Sequence, residues 1–261
     1  MDELLEISRQ YWKLCPLPIE TPDDMIMIGD SVYYTPRKIR ELQRETQETY
    51  NKCSNAVEIM YWDDFKLLST FDHKQTESLR SGLNKAIAWA TNPKGFIVIQ
   101  PHDSSKRFRL GKTAIARAIH THCLMSGIVS VFWVVPDIVQ AWYSDGRNLK
   151  ERQREALLSI SSSVKDSMIY IASTASVLIL DDFAAYYKNS YADSFLETIL
   201  ISRSDDATKG TVITTSEKSG YMKENYPLLY SRMSSGIPIT LNTDQYTVSL
   251  AAGAIQIGNA L

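Results

Sequence analysis

Apolar, largely β-branched runs recur along this chain at 96–99, 128–135, 177–180 and 211–215, and a helix-length segment separates most of them. Strand runs that alternate with helical stretches close as a parallel sheet, because each strand returns to the same edge through a crossover. Such a sheet is covered on both faces, which accounts for runs that are apolar throughout. The spacing predicts helices over 75–90, 114–119, 136–143, 152–172 and 183–203, with Pro136 suited to a first helical turn. The fold class is therefore α/β, a parallel sheet sandwiched by helices, and its ligand crevice belongs at the carboxyl ends of the strands.

Two short stretches fall at that edge. Gly111, Lys112 and Thr113 follow the first run and open a helix, and Asp181 and Asp182 close the third run. Strand, loop and helix in that order are what a P-loop requires: loop amides and the helix N-terminus face phosphate, and the Lys reaches the terminal phosphates. ATP and Mg2+ are the cofactors this implies, with Thr113 and Asp181 on the metal side and Asp182 orienting the attacking water. The loop departs from the full pattern. Position 106 is Lys where a Gly is expected, and residues 100–112 contain only one Gly. Glycines serve such loops by adopting positive φ and letting backbone approach phosphate. Ser104, Ser105, Lys106, Arg107 and Arg109 offer hydroxyls and cations in their place. Two readings stand: an ATP site of altered loop chemistry, or a degenerate loop that binds nucleotide weakly or not at all.

Composition bounds the partners. With 261 residues, 44% of them hydrophobic, the chain can bury a sizeable core as one full domain plus an appendage. A net charge of −2 excludes a uniformly basic coat, so any DNA contact has to come from a local patch. Cys15, Cys53 and Cys123 are far apart and odd in number, which fits neither a disulfide framework nor a zinc ribbon and points to a reduced cytoplasmic compartment. His120 and His122 are two apart and diverge on a helix, so they read as ordinary helix residues. No run reaches membrane-spanning length, and the acidic start at Asp2, Glu3 and Glu6 is unlike a secretion signal.

The organisation changes near residue 60. Residues 1–60 hold Tyr11 and Trp12, a break at Pro16 and Pro18, an alternating patch from Met25 to Tyr34, and a charged helix expected from Pro36 to about Asn51. This stretch is too small for a large core. It is either a partner-docking segment or a subdomain packed on its own ATPase part, residues 61–261.

At this point the chain resembles a known family. Asp64-Phe65 and Phe71-Asp72 ahead of a helix, the Gly-Lys-Thr loop, the run closing on Asp181-Asp182-Phe183, 199–203, Thr214-Thr215-Ser216, and Ser231-Arg232-Met233 are similar in order and spacing to the motifs of DnaC/DnaI-type helicase loaders and the related IstB transposition helpers, which are AAA+ ATPases. The resemblance covers roughly 60–247. It implies an AAA+ P-loop fold, with Ser216 as the sensor where the family usually carries Asn, and Arg232 as the finger that reaches a neighbouring subunit's ATP in a homo-oligomer. A solvated surface Arg is the plainer reading of Arg232. The family's closing Asp-x-Tyr-Arg reads Asp244-Gln245-Tyr246-Thr247 here. A lost charge-assisted donor near phosphate is worth about 1.5–3 kcal/mol, so slow or partner-stimulated hydrolysis is expected.

Trp142 and Tyr143 stand near Arg147, Lys150, Arg152 and Arg154, the mix of aromatics and cations that single-stranded DNA binding uses. Glu151 and Glu155 interleave, so an amphipathic helix with a solvated face explains the same residues. The function expected is nucleotide-gated delivery of a replicative helicase to single-stranded DNA. An IstB-like transposition helper and a catalytically degenerate adaptor are the alternatives.

Overall fold

A computed structural model describes residues 25–28, 31–34, 36–55, 59–65, 73–102, 111–186, 190–217 and 219–242. Tyr11, Trp12, Cys15, Phe71, Asp72, the loop residues 104–109 and the Asp244–Thr247 motif lie outside them. The chain divides into two compact units, 1–49 and 50–261.

In the first unit, β1 (Met25–Ile28) and β2 (Ser31–Tyr34) pair antiparallel, with Met25 opposite Tyr34 and Ile28 opposite Ser31. The β-formers of that alternating patch suit such a pair. α1 (Pro36–Cys53) then starts at Pro36, where the absent N–H costs nothing. Its exposed Arg44–Glu48 contact at 3.8 Å is the kind of surface pair that contributes little.

The second unit is built on five parallel strands in the order β4-β5-β6-β3-β7: β3 (Gly95–Pro101), β4 (Ser130–Val134), β5 (Val177–Asp181), β6 (Gly210–Thr214) and β7 (Ile237–Leu241). Side chains alternate across a strand, so each apolar run feeds two cores. Ile97, Ile99, Phe132, Val177, Ile179 and Val212 face α2 (His73–Ala90) and α3 (Lys112–Met125), where Leu79, Trp89, Ile115 and Ile119 bury. Phe96, Val98, Val131, Trp133, Leu178, Leu180 and Ile213 face the opposite layer. That layer is α4 (Val135–Ser144), α5 (Glu151–Leu158), α6 (Val164–Thr174), α7 (Ser190–Ser204), α8 (Ser219–Asn225) and α9 (Pro227–Met233). The expected α/β sandwich is what forms.

Two expected helices are shorter than their patterns. The stretch read as one helix over 152–172 is α5 and α6, parted by a segment that carries Ser159, Ser161, Ser162 and Ser163. Serine competes for backbone hydrogen bonds and favours caps, and Ser163 does cap α6 by accepting from the Asp166 N–H at 3.3 Å. The helix expected from 183 begins at Ser190, after a turn that follows Asp182.

Both sheet edges are closed by side chains. Along β7, Ser78 Oγ donates to Thr240 O and Lys85 Nζ to Pro238 O, each at 3.1 Å. α2 lies close enough there that a Cβ on Gly82 would meet Ile239 and Leu241 at 3.0 Å. Along β4, the segment after α1 takes over the ladder. Asn55 N donates to Phe132 O at 2.9 Å, Val134 N to Asn55 Oδ1 at 2.8 Å, and Phe132 N to Ser54 Oγ at 3.2 Å. Cys53 O accepts from Trp133 Nε1 at 3.1 Å and Gln153 Nε2 at 3.0 Å. Residues 50–55, grouped with the N-terminal segment on sequence, are thus held in the second unit.

Candidate nucleotide-binding site

The carboxyl ends of β3, β5 and β6 gather the polar groups of the site. Gly111 precedes α3 with φ 81°, a left-handed conformation that suits a residue without Cβ. The first turn of α3 holds no acidic residue, so its positive dipole end is not neutralised from within. Lys112 and Thr113 occupy that turn.

β5 is buried throughout and ends at Asp181, which is 5% exposed. Thr113 Oγ1 donates to both Asp181 oxygens, at 3.0 and 3.2 Å. Thr214 Oγ1, at the end of β6, donates to Asp181 Oδ1 at 2.6 Å and accepts the Asp182 N–H at 2.9 Å. Asp182 itself adopts φ 58°, a region Asp tolerates better than most residues. Ser216 Oγ donates to Asp182 Oδ1 at 3.2 Å, and Phe183 N donates to Thr214 O at 2.8 Å. The end of β6 thus clamps both acids.

Burial pushes the Asp181 carboxyl above its usual range, while the hydroxyls of Thr214 and Thr113 oppose it; Asp182 raises it further and Arg117 lowers it. Burial lowers the Lys112 ammonium, and the charges of Asp182 and Asp181 hold it up. Lys112 and two acids therefore share a partly dehydrated site, with the charge of Arg117 also felt at Asp181. The donor set fits magnesium: Thr113 spends its proton on Asp181, which leaves oxygen lone pairs for a hard cation. No group of three or more His, Cys, Asp or Glu that could hold a metal occurs among the described residues. Magnesium here would need phosphate and water to complete its shell.

Gly111, Lys112, Thr113, Asp181, Asp182 and Ser216 thus lie together at the strand ends. Arg232 does not join them. It stands exposed on α9, outside every hydrogen bond of this cluster among the described residues. The role of Thr214 is not marked by the Thr214-Thr215-Ser216 motif itself. A hydroxyl at the end of a fully buried strand has to find a partner, and that was the available signal.

The expected DNA-contacting residues divide. Trp142 stacks on Phe195 at 4.1 Å and carries Lys165 Nζ 5.6 Å from its ring centre, so its faces are engaged inside the protein. Tyr143 is 43% exposed, 5.3 Å from Tyr191. Arg147, Lys150, Arg152 and Arg154 are exposed, and Arg147 Nε turns back to Ser144 O at 2.9 Å. His120 is buried, its Nδ1 2.8 Å from Ser130 Oγ, and His122 Nδ1 accepts from Trp62 Nε1 at 3.4 Å. No helix among the described residues is long and apolar enough to cross a membrane.

No protein-family model and no curated protein matches the chain. Solved structures do. A DNA replication initiation factor matches at 14% identity and TM-score 0.54, over 70% of this chain and 50% of that one. The replication initiator DnaA bound to AMPPCP and single-stranded DNA matches at 14% identity and TM-score 0.54, over 71% and 50%. The DnaC helicase loader is also matched, at 15% identity and TM-score 0.48, over 70% and 96%. The chain spans half the length of the first two. At these identities the likeness is one of fold: a five-stranded parallel sheet covered by helices on both faces.

Proposed function

We propose that this chain is an ATP-binding AAA+ helicase loader of DNA replication, which grips a replicative helicase through residues 1–60 and delivers it to single-stranded DNA through residues 61–261. The observation that carries the nucleotide part is the bond from Thr113 to Asp181, made at the strand ends with Lys112 beside both acids. The order of motifs from Asp64 to Met233 supports the loader part. The fold shared with a DnaA bound to AMPPCP and single-stranded DNA supports nucleotide and single strand as ligands.

In this reading Lys112 and the N-terminus of α3 bind the phosphates, and Thr113 and Asp181 hold magnesium. The metal supplies charge neutralisation on the phosphates when bound. Asp182 orients the attacking water, and Ser216 fixes the carboxylate that does so through its 3.2 Å bond. Arg232 serves a neighbouring copy's site in a homo-oligomer, where a finger of this kind is worth about 10³–10⁵ in rate.

Capture of a purified replicative helicase by the full chain, with and without ATP, tests the proposal. The wild type retains the helicase and Lys112→Ala loses the ATP dependence. Absence of capture under all conditions contradicts the loader function and favours a transposition helper. Equal capture without nucleotide, in a chain that binds no ATP analogue, assigns the adaptor role that the long loop at 101–110 favours.

A further inference from the structure

We propose that the last turn of α1, the start of α4 and the start of α5 form a groove for the phosphodiester backbone of a single-stranded nucleic acid, with Lys52 as a contact. The inference rests on the DNA-binding part of the proposed function. It adds Lys52, which lies ahead of residue 61 but belongs to the second unit, and a defined place for the strand.

A cleft of about 450 Å³ opens beside the β4 edge. Lys52, Lys150 and Arg152 line it from two separate elements, all three exposed, and none is in an ion pair among the described residues. Asp137 is the carboxylate that lines the same cleft, and Asn55 Nδ2 donates to its Oδ2 at 3.1 Å. Three cations against one carboxylate leave the cleft positive, although the whole chain carries −2. A locally positive cleft on a slightly acidic protein concentrates anions there.

The groove is also held in shape. Five hydrogen bonds tie Cys53, Ser54 and Asn55 to β4 and Gln153, so Lys52 projects from a fixed backbone. Cations spread along two elements suit a repeating anion better than a single one.

Binding of a fluorescein-labelled oligo-dT to the full chain, titrated across salt, tests this. Lys52→Gln and Lys150→Gln each weaken binding several-fold at low salt. Each also reduces the slope of log affinity against log salt by about 0.7, the value for one phosphate contact on a single strand. Arg80→Gln, which removes an exposed cation paired with Glu77 on α2, overlays the wild type. Unchanged ATP-analogue binding and melting temperature show that Lys52→Gln is folded. A Lys52→Gln protein that binds with wild-type affinity and slope overturns the groove while leaving the DNA-binding reading intact. A wild type that binds no oligo-dT overturns both. Lys52-dependent binding to phosphatidylserine vesicles without oligo-dT binding overturns the groove in favour of a lipid surface.

Discussion

β5 and β6 bury charge at both of their ends, and the two ends treat it differently. At the amino ends lies Arg203, only 2% exposed. Its guanidinium donates to Ala172 O, Ala175 O, Ser176 O and Gly210 O at 2.6, 2.9, 3.3 and 2.5 Å, and to Thr211 Oγ1 at 2.8 Å. Burial depresses it to about 9, yet its donors are spent within the chain. Lys209 joins it by donating to Thr174 O at 2.8 Å. At the carboxyl ends, Asp181 and Asp182 are chain neighbours, burial and the charge of Asp182 raise the cost of ionising Asp181, and a dehydrated Lys112 lies alongside. Charge matched by carbonyls is a bracket. Acids crowded beside one lysine gain from an arriving cation and phosphate, which is the mark of a ligand site.

The comparison can be broken most forcefully at the bracket. Arg203→Met strands several carbonyls at about 1 kcal/mol each, so unfolding free energy falls by about 3 kcal/mol in a urea titration. The fraction that remains folded keeps its affinity for an ATP analogue. Loss of affinity without loss of stability would move Arg203 into the site.

A smaller effect at the same end is set by pH. His120, beside Ser130 at the start of β4, is lowered by burial from 6.5 to about 4. The folded state favours the neutral ring, so between those values it binds fewer protons than the unfolded chain. The contribution is complete above about pH 6.5 and is lost as pH falls toward 4, about 2 kcal/mol of it by pH 5. Urea midpoints of wild type and His120→Gln across that window should therefore converge as pH falls. Parallel curves would contradict the assignment.

The finest discrimination is at Thr214. Thr214→Val keeps the shape but removes the hydroxyl that orients Asp181 and holds the Asp182 amide, so magnesium-dependent nucleotide binding weakens about tenfold, the value of roughly one hydrogen bond to a charged group. Thr214→Ser restores it. A purely structural role would instead lower the melting temperature in Val and leave the magnesium dependence unchanged.

The strands were legible because a buried parallel strand writes a continuous apolar run, and β3 to β6 all do. β7 was not. Pro238 and exposed Ile237 interrupt its pattern, which an edge strand tolerates. The acids, Lys112 and Thr113 were legible from strand-end and helix-start positions. Ser54 and Asn55 were not, because side chains that replace a strand at the β4 edge leave no periodicity. Trp142 had the right composition for a stacking surface, yet its partner Phe195 lies far along the chain, beyond the reach of any local pattern.

Equilibrium binding of a fluorescent ATP analogue, with and without magnesium, to wild type, Asp181→Asn and Asp182→Asn tests the central claim most directly. The wild type binds with magnesium dependence, Asp181→Asn loses that dependence, and Asp182→Asn binds like wild type while hydrolysis stops. Equal binding defects in both variants, or a wild type that binds no analogue, would contradict the assignment of this strand edge as a nucleotide site.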